Sequence, residues 1–555
     1  MNEDLVTRFR RHVADSPARP AVIEVGRRTT TASYQDLDAA ARSLAGWLRG
    51  QAAPGDRVLL IHPTPIGFAQ AFLGCLYAGC VPVPAPLPGQ FNHHLALTTG
   101  IALDAGPRLV LTDTEHLDLV ADWLVQDGLE EPALFATDLV DLSEHEPIDP
   151  VDRSADTPAL VLYTAAPTSL TRHLISHATL LRDIERLDAA LDLAAHGTIG
   201  GWLPTDHGPS LTGLLTGPLA VGATTVLMTP TDFLRQPLRW LRLLDRYDVR
   251  LTMAPAFGYD VCVRRISTEQ ARDLDLSRLR TALIGPEPMP EATTSAFAAR
   301  FAPSGLAPRA LTPAYGPTDG VRLISVSPPG DRTGGPLVTP ADRKALERDL
   351  VRPAADGVRL VSCGPIDGTG LRIVHPVEGI ELADDLVGEI ELADGTRTGD
   401  LGAVHAGQLY PTGRLADRLT VDRRSLYADE VELAVTTLDP RFEGLCGCVC
   451  GVDVPQEQLV VLQEVRPRTP VAELESLAAT LREGLRDRFR VRVANVVFLR
   501  PGQVRRSAGR VQRALMRELF CSDALDPVYE ALGRRTAQTY RSARSAAFAE
   551  TAGAS

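Results

Sequence analysis

Between residues 20 and 285 this chain keeps switching between two hydrophobic periods, and that switching restricts its fold more than any other feature. Short apolar runs read as strands at Ala21-Val-Ile23, Arg57-Val-Leu-Leu-Ile61, Leu109-Val-Leu111, Trp202-Leu-Pro204, Thr225-Val-Leu-Met228, Leu251-Thr-Met253 and Thr281-Ala-Leu-Ile284. Helix-length segments separate them, among them 34–48 and the apolar 68–79. Parallel strands need a crossover, which a helix supplies, so this alternation predicts layered α/β structure. Val81-Pro-Val-Pro-Ala-Pro-Leu-Pro reads as extended, since each proline restricts the residue before it.

The pattern changes after residue 328. Residues 328–357 are polar and rich in proline and glycine, with one helical piece around 341–350, and read as a surface insertion. Strand-like segments then dominate, at Leu371-Arg-Ile-Val374, Val387-Gly-Glu-Ile-Glu391 and Leu409-Tyr410. Alternation over 413–421 and 446–465 predicts a small C-terminal α+β unit. The expected division is a large N-terminal α/β domain over 1–415, a smaller domain over 416–535, and a disordered Ala-, Ser- and Arg-rich tail over 536–555.

Charge and cysteine usage exclude several classes of function. A net charge of -13 argues against nucleic acid as a partner. No run of about 20 apolar residues is present, so no membrane span is expected. Met1-Asn-Glu-Asp-Leu5 does not resemble a secretory signal, and eight cysteines in 555 residues fit a reduced, cytoplasmic protein. Cys446-Gly-Cys-Val-Cys450 places three thiols on one face of a strand, which is packing rather than metal-site spacing.

One stretch carries candidate chemistry. Tyr163 to Leu181 reads as a strand end, a Ser/Thr-rich loop and a helix start. Such a loop offers backbone N–H groups and a helix N-terminus to phosphate. A working phosphate loop also uses glycines for close approach and a lysine for charge. From Thr164 to Thr179 there is neither, and Lys344 is the single lysine of the chain.

Several further motifs follow one another along the chain: Phe72-Leu-Gly-Cys-Leu-Tyr-Ala-Gly79 with Val81-Pro-Val-Pro84, Gly201-Trp-Leu-Pro204 with His207, Phe233 to Leu241, Ala254-Pro-Ala-Phe-Gly-Tyr-Asp260, Val361-Ser-Cys-Gly364, Thr398-Gly-Asp-Leu-Gly402 and Gly413-Arg-Leu-Ala-Asp417. In order and spacing they resemble those of adenylate-forming, AMP-binding enzymes, and within them the fatty acyl-AMP ligases. The resemblance runs from about residue 5 to about 525. It implies a reaction of a carboxylic, typically fatty, acid with ATP to give an acyl-adenylate, then transfer to a carrier protein, as in polyketide or nonribosomal synthesis. It also implies that the C-terminal domain is a mobile lid.

Residue roles carry over position by position. Asp400 and Arg414 match the groups that hold ribose and nucleotide, and Asp417 matches the hinge. Tyr315 and Gly316 match an adenine-side pair, Gly285 opens the Gly-Ala-Glu-Pro-like segment, and Thr164 heads the phosphate loop. Asp319 matches a Mg²⁺ ligand. Ala254, Phe257 and Tyr259 would lie beside the acyl pocket, and His207 matches a histidine flanking it. Two departures touch catalysis. Either Thr171 or Arg172 faces the position of the phosphate-loop lysine, and Arg510 stands where the family carries its catalytic lysine. Arginine keeps the charge but not the geometry of an ammonium. The competing expectation is a catalytically impaired member that binds an acyl-adenylate, a carrier protein or a pathway enzyme without ligating.

Overall fold

The computed structural model describes residues 3–541, apart from 90–91, 130, 141–144, 152–153, 167–168, 286–289, 317–322, 328–334, 422–423, 443, 455–456 and 508–509. The chain forms two compact units. One comprises 1–339 with 361–369 and 407–409; the other comprises 340–360, 370–406 and 410–555. The domain boundary expected near 415 therefore lies inside the second unit.

The first unit contains two mainly parallel sheets. Its strands are β1 (Pro20–Val25), β2 (Thr29–Ser33), β3 (Arg57–Leu60), β4 (Val81–Pro84), β5 (Leu109–Thr112) and β6 (Ala133–Ala136). They continue with β7 (Pro158–Ala166), β8 (Ser169–Ser176), β9 (Thr198–Gly201), β10 (Thr224–Leu227) and β11 (Leu251–Ala254), then β12 (Thr281–Ile284), β13 (Leu311–Tyr315) and β14 (Ser325–Val326). The four-stranded sheet runs β4-β3-β5-β6 and is parallel throughout. The proline-rich segment thus forms a strand, tolerated because β4 is an edge that needs fewer N–H donors. The larger sheet runs β14-β13-β12-β11-β9-β10-β1-β2, parallel from β13 to β1.

Both sheets reverse their direction of winding. In the small sheet β4 lies on one side of β3 and β5 on the other. In the large sheet β10 lies on one side of β9 and β11 on the other. Such a switch point opens a crevice beyond the carboxyl ends of the two strands, where α/β proteins bind ligands.

Two expectations about local structure are corrected. The strand expected at Trp202-Leu-Pro204 lies one step earlier, as β9. Its glycines hid it from a reading based on apolar side chains. They are there for space: a Cβ on Gly200 would sit 2.9 Å from Val249 and 3.0 Å from the Val226 carbonyl, and one on Gly201 2.9 Å from Leu214. The Ser/Thr-rich stretch is not a loop. β7 and β8 form an antiparallel hairpin pairing Tyr163 with Arg172 and Thr164 with Thr171, and helix His177–Leu191 follows directly. Thr171, Ile175 and their neighbours suit a pleated strand.

The second unit holds a four-stranded sheet of Gly447–Asp453, Glu457–Glu464, Asn495–Leu499 and Tyr529–Ala531. Helices Ala428–Leu438 and Val471–Phe489 bury Val431, Leu474 and Leu481 with Val449 on one face. Helix Arg513–Cys521 buries Met516 and Phe520 against Cys448 and Cys450 on the other. The cysteine run therefore packs as its period of two predicts. The segment expected as a surface insertion is partly core, since Leu346 and Val351 pack with Val387, Leu401 and Ala403. Residues 536–541 of the expected tail are structured. Arg534–Tyr540 is helical, and Arg541 is held by Glu530 and Asp523 beneath the Phe520 ring. No helix among the described residues is long and apolar enough to cross a membrane.

Candidate active site

In the first unit the large sheet brings the expected residues to the ends of adjacent parallel strands. Ala254 closes β11, Gly285 follows β12, and Tyr315 closes β13. The Gly285 N–H lies 3.4 Å from the Ala254 carbonyl. Gly285 is required there, because a Cβ would sit 2.4 Å from the Ala314 carbonyl oxygen. Tyr315 and Gly316 are buried. Asp319 lies outside the described residues, as do residues 286–289 after Gly285.

An aromatic wall stands at the switch point, just past β9. Trp202 stacks on Phe233 at 4.0 Å between ring centroids and meets Trp240 and Phe257 edge-on at 6.2 and 5.7 Å. Gly258 allows this approach, since a Cβ would lie 2.9 Å from the Trp202 ring and 3.4 Å from the Ala254 methyl. Ala254 and Phe257 line the wall. Tyr259 is instead a core residue, 1% exposed, with its hydroxyl donating to the Leu283 carbonyl at 2.9 Å. Burial pushes its pKa well above the ordinary phenol value.

The same place holds polar groups that the motif reading passed over. The Trp202 Nε1–H is buried and has no acceptor among the described residues, whereas Trp240 donates to Thr252 at 3.2 Å. Asp206 is half-buried, and burial pushes its carboxyl up to about 6. His207 is exposed and caps the next helical turn through its backbone carbonyl, which accepts from Ser210 Oγ at 2.9 Å. No sequence signal marks Asp206, because its burial is set by the fold and not by its neighbours in the chain.

On the hairpin, Thr164 Oγ1 lies 3.0 Å from His173 Nε2. Arg172 Nη1 pairs with Asp104 at 3.4 Å, and the Tyr163 hydroxyl donates to the same carboxylate at 2.6 Å. Arg172 and Asp104 are about half exposed, so this is a solvated ion pair of modest strength.

In the second unit Asp400 and Arg414 come together. Asp400 is buried, and its Oδ1 lies 3.2 Å from Arg414 Nε. Asp417 does not stand alone. Its Oδ2 meets Arg513 Nη1 at 2.9 Å. Arg513 is also bidentate to Glu432, with Nε to Oε1 at 2.9 Å and Nη2 to Oε2 at 2.7 Å, and it pairs with Asp429. Burial pushes the Glu432 carboxyl up to about 7, against the pull of the guanidinium. Burial alone would lower the Arg513 pKa, but Glu432, Asp429 and Asp417 together raise it above its ordinary value. Asp429 and Glu432 are three apart on one helix, with Val431, Ala434 and Val435 buried around them. Two acids at that spacing beside an apolar stripe are the sequence signal that could have exposed this cluster. The Arg510 backbone pairs with Ser507 in a two-stranded ribbon, and its side chain lies outside the described residues. Among the described residues no group of three His, Cys, Asp or Glu could hold a metal ion.

The medium-chain-fatty-acid-acyl-carrier-protein ligase JamA of Moorena producens is 30% identical, over 93% of this chain and 95% of the relative. The long-chain-fatty-acid AMP ligase FadD26 of Mycobacterium marinum is 30% identical, over 89% of this chain and 92% of the relative. The fatty acid AMP ligase from Legionella pneumophila superposes with a TM-score of 0.70 at 26% identity, over 95% of this chain and 97% of that one. The AMP-binding enzyme family matches residues 9–395. With strand ends, a required glycine and an aromatic wall meeting at the switch point of a parallel sheet, the chain belongs to the AMP-binding enzyme family.

Proposed function

We propose that this protein activates a medium- or long-chain carboxylic acid with ATP to an acyl-adenylate and passes the acyl group to a carrier-protein thiol. The observation that supports this most is the switch-point crevice, where Ala254, Phe257 and Trp202 form an apolar wall beside the Gly285 and Tyr315 strand ends. An acyl chain would lie along that wall. The adenine would meet Gly285 and Tyr315 at the ends of β12 and β13. The orphaned Trp202 N–H would donate to the acid's carboxylate or to the acyl carbonyl. Asp400, held by Arg414, would accept the two ribose hydroxyls, since an ionised carboxylate has acceptor capacity for both. Asp417 would serve as the hinge, with Arg513 holding one of its positions. Mg²⁺ belongs to this reading through Asp319 alone.

A second reading is favoured by the hairpin. Arg172 pairs with Asp104, and the described hairpin residues include no glycine or lysine. Losing a preorganised donor to developing phosphate charge costs roughly 10²–10³ in rate. A member so equipped would bind the finished adenylate and not make it. Two measurements separate the readings: isothermal titration with a non-hydrolysable dodecanoyl-adenylate analogue and with Mg·ATP, and pyrophosphate release with dodecanoate. Binding of both ligands with pyrophosphate release supports the ligase. Binding of the analogue alone supports the impaired member. Binding of neither refutes both.

A further inference from the structure

The small parallel sheet has a switch point of its own, and it carries chemistry that the proposed ligation does not use. β3 and β5 flank the reversal. Past the end of β3 come His62 and Thr64. Past β5 come Asp113 and Glu115, and past β6 comes Asp138. These residues line a cavity of about 280 Å³, near the lower end of the roughly 300–1,000 Å³ common for small-molecule sites.

His62 is the informative residue. It lines the cavity, it is only 6% exposed, and neither ring nitrogen has a hydrogen-bond partner among the described residues. A buried polar group without a partner is costly, so its persistence asks for a ligand. Burial holds the imidazole neutral, with a pKa near 4 despite the pull of Asp113 and Asp138. It therefore offers one donor and one acceptor.

The surroundings fix the charge of that ligand. Asp113 uses Oδ1 to accept from the His116 backbone N–H and ring, at 3.0 and 2.6 Å. Asp138 uses Oδ1 to accept from the Thr114 N–H at 2.8 Å. Neither Oδ2 has a partner among the described residues. Glu24 stands close enough to Asp113 for their charges to interact, and its Oε2 accepts from the Ile66 N–H. His116 answers the charge of Asp113, but no arginine or lysine lines the cavity. Space is kept open by Gly67, where a Cβ would lie 2.8 Å from Thr64 Oγ1 and 3.3 Å from His62 Nδ1.

We propose that this cavity binds a small organic cation bearing N–H donors, an alkylammonium or guanidinium compound, with its charged group between Asp113 and Asp138 and a hydrogen bond to His62. The metal alternative is not supported, since no described cluster has metal-binding geometry. The site does not depend on the ligase reading, and its test reads binding and not turnover.

The experiment is isothermal titration of the full chain with putrescine and with agmatine, against 1-butanol at matched ionic strength. A parallel spectrum of the protein labelled with ¹³C-histidine follows the His62 ring. Saturable binding of at least one amine, none of butanol, and a shifted His62 signal are expected. Asp138→Asn and Gly67→Ala, neither placed in the proposed ligation site, should each weaken binding about 10-fold or more. Absence of saturable binding by both amines overturns the proposal. So does binding that both variants leave unchanged, or binding that leaves the His62 signal unmoved.

Discussion

Replacing Arg513 with methionine tests the polar cluster of the second unit in a way that yields numbers. Arg513 and Glu432 are 10% and 13% exposed, so each needs the other. In Arg513→Met, Glu432 keeps the Val449 N–H at 2.8 Å and loses its countercharge. Breaking a buried pair from one side costs about 3–5 kcal/mol. The cost depends on pH because the carboxylate can escape by protonating. In the native protein its pKa is already raised from 4.5 to about 7. Between those values the folded state holds a proton that the unfolded state releases. This stabilising contribution is full below pH 4.5 and is lost as pH rises through 7, a swing of about 3 kcal/mol at 1.36 kcal/mol per pK unit. Without the guanidinium the folded pKa climbs further. Arg513→Met should therefore cost about 4 kcal/mol at pH 8 and about 2 kcal/mol at pH 5.5, where mainly hydrogen bonds are lost. Trp47, Trp123, Trp202 and Trp240 all lie in the first unit, so fluorescence is the wrong probe. Hydrogen exchange of the peptides covering 428–453, corrected for intrinsic rates, reads the local opening directly. The double variant Glu432→Gln, Arg513→Met should recover most of the loss. A destabilisation equal at both pH values, or a double variant no better than the single, refutes the reasoning.

Three further outcomes are expected. Burial raises the Asp206 pKa from 3.8 to about 6, so its stabilising contribution is full below pH 3.8 and is lost as pH rises through 6. Asp206→Asn should stabilise the first unit by about 1–3 kcal/mol at pH 8 and not at pH 3.5, measured by urea titration of tryptophan fluorescence. Gly285→Ala forces a Cβ to 2.4 Å from the Ala314 carbonyl, and should cost about 1–3 kcal/mol in the same assay and weaken the dodecanoyl-adenylate analogue. Asp400→Asn should weaken that analogue about 10- to 100-fold by calorimetry while leaving urea midpoints of the first unit unchanged.

What the sequence determined by itself is the order of elements and the family. The alternation of short apolar runs with helix-length segments is local, and the period of side-chain burial reports it directly, so β1, β3, β5, β11 and β12 lie where the apolar runs place them. Motif spacing over most of the chain pointed to adenylate-forming chemistry, because a ligand site repeated across a family keeps its residues at fixed intervals. Elements whose logic is not apolar were missed. β9 ends in two glycines because Val249, Leu243 and Leu214 crowd them, and a Ser/Thr-rich run became β8 by pairing with β7. Only the tertiary structure decided what surrounds each charge. Asp417 and Arg513 are 96 residues apart in the chain yet share an ion pair, Tyr259 sits in the core and not along the apolar wall, and His62 lines a cavity whose acids lie just past β5 and β6. Burial and partnership are sums over neighbours brought together by folding, and no local pattern of residues contains them.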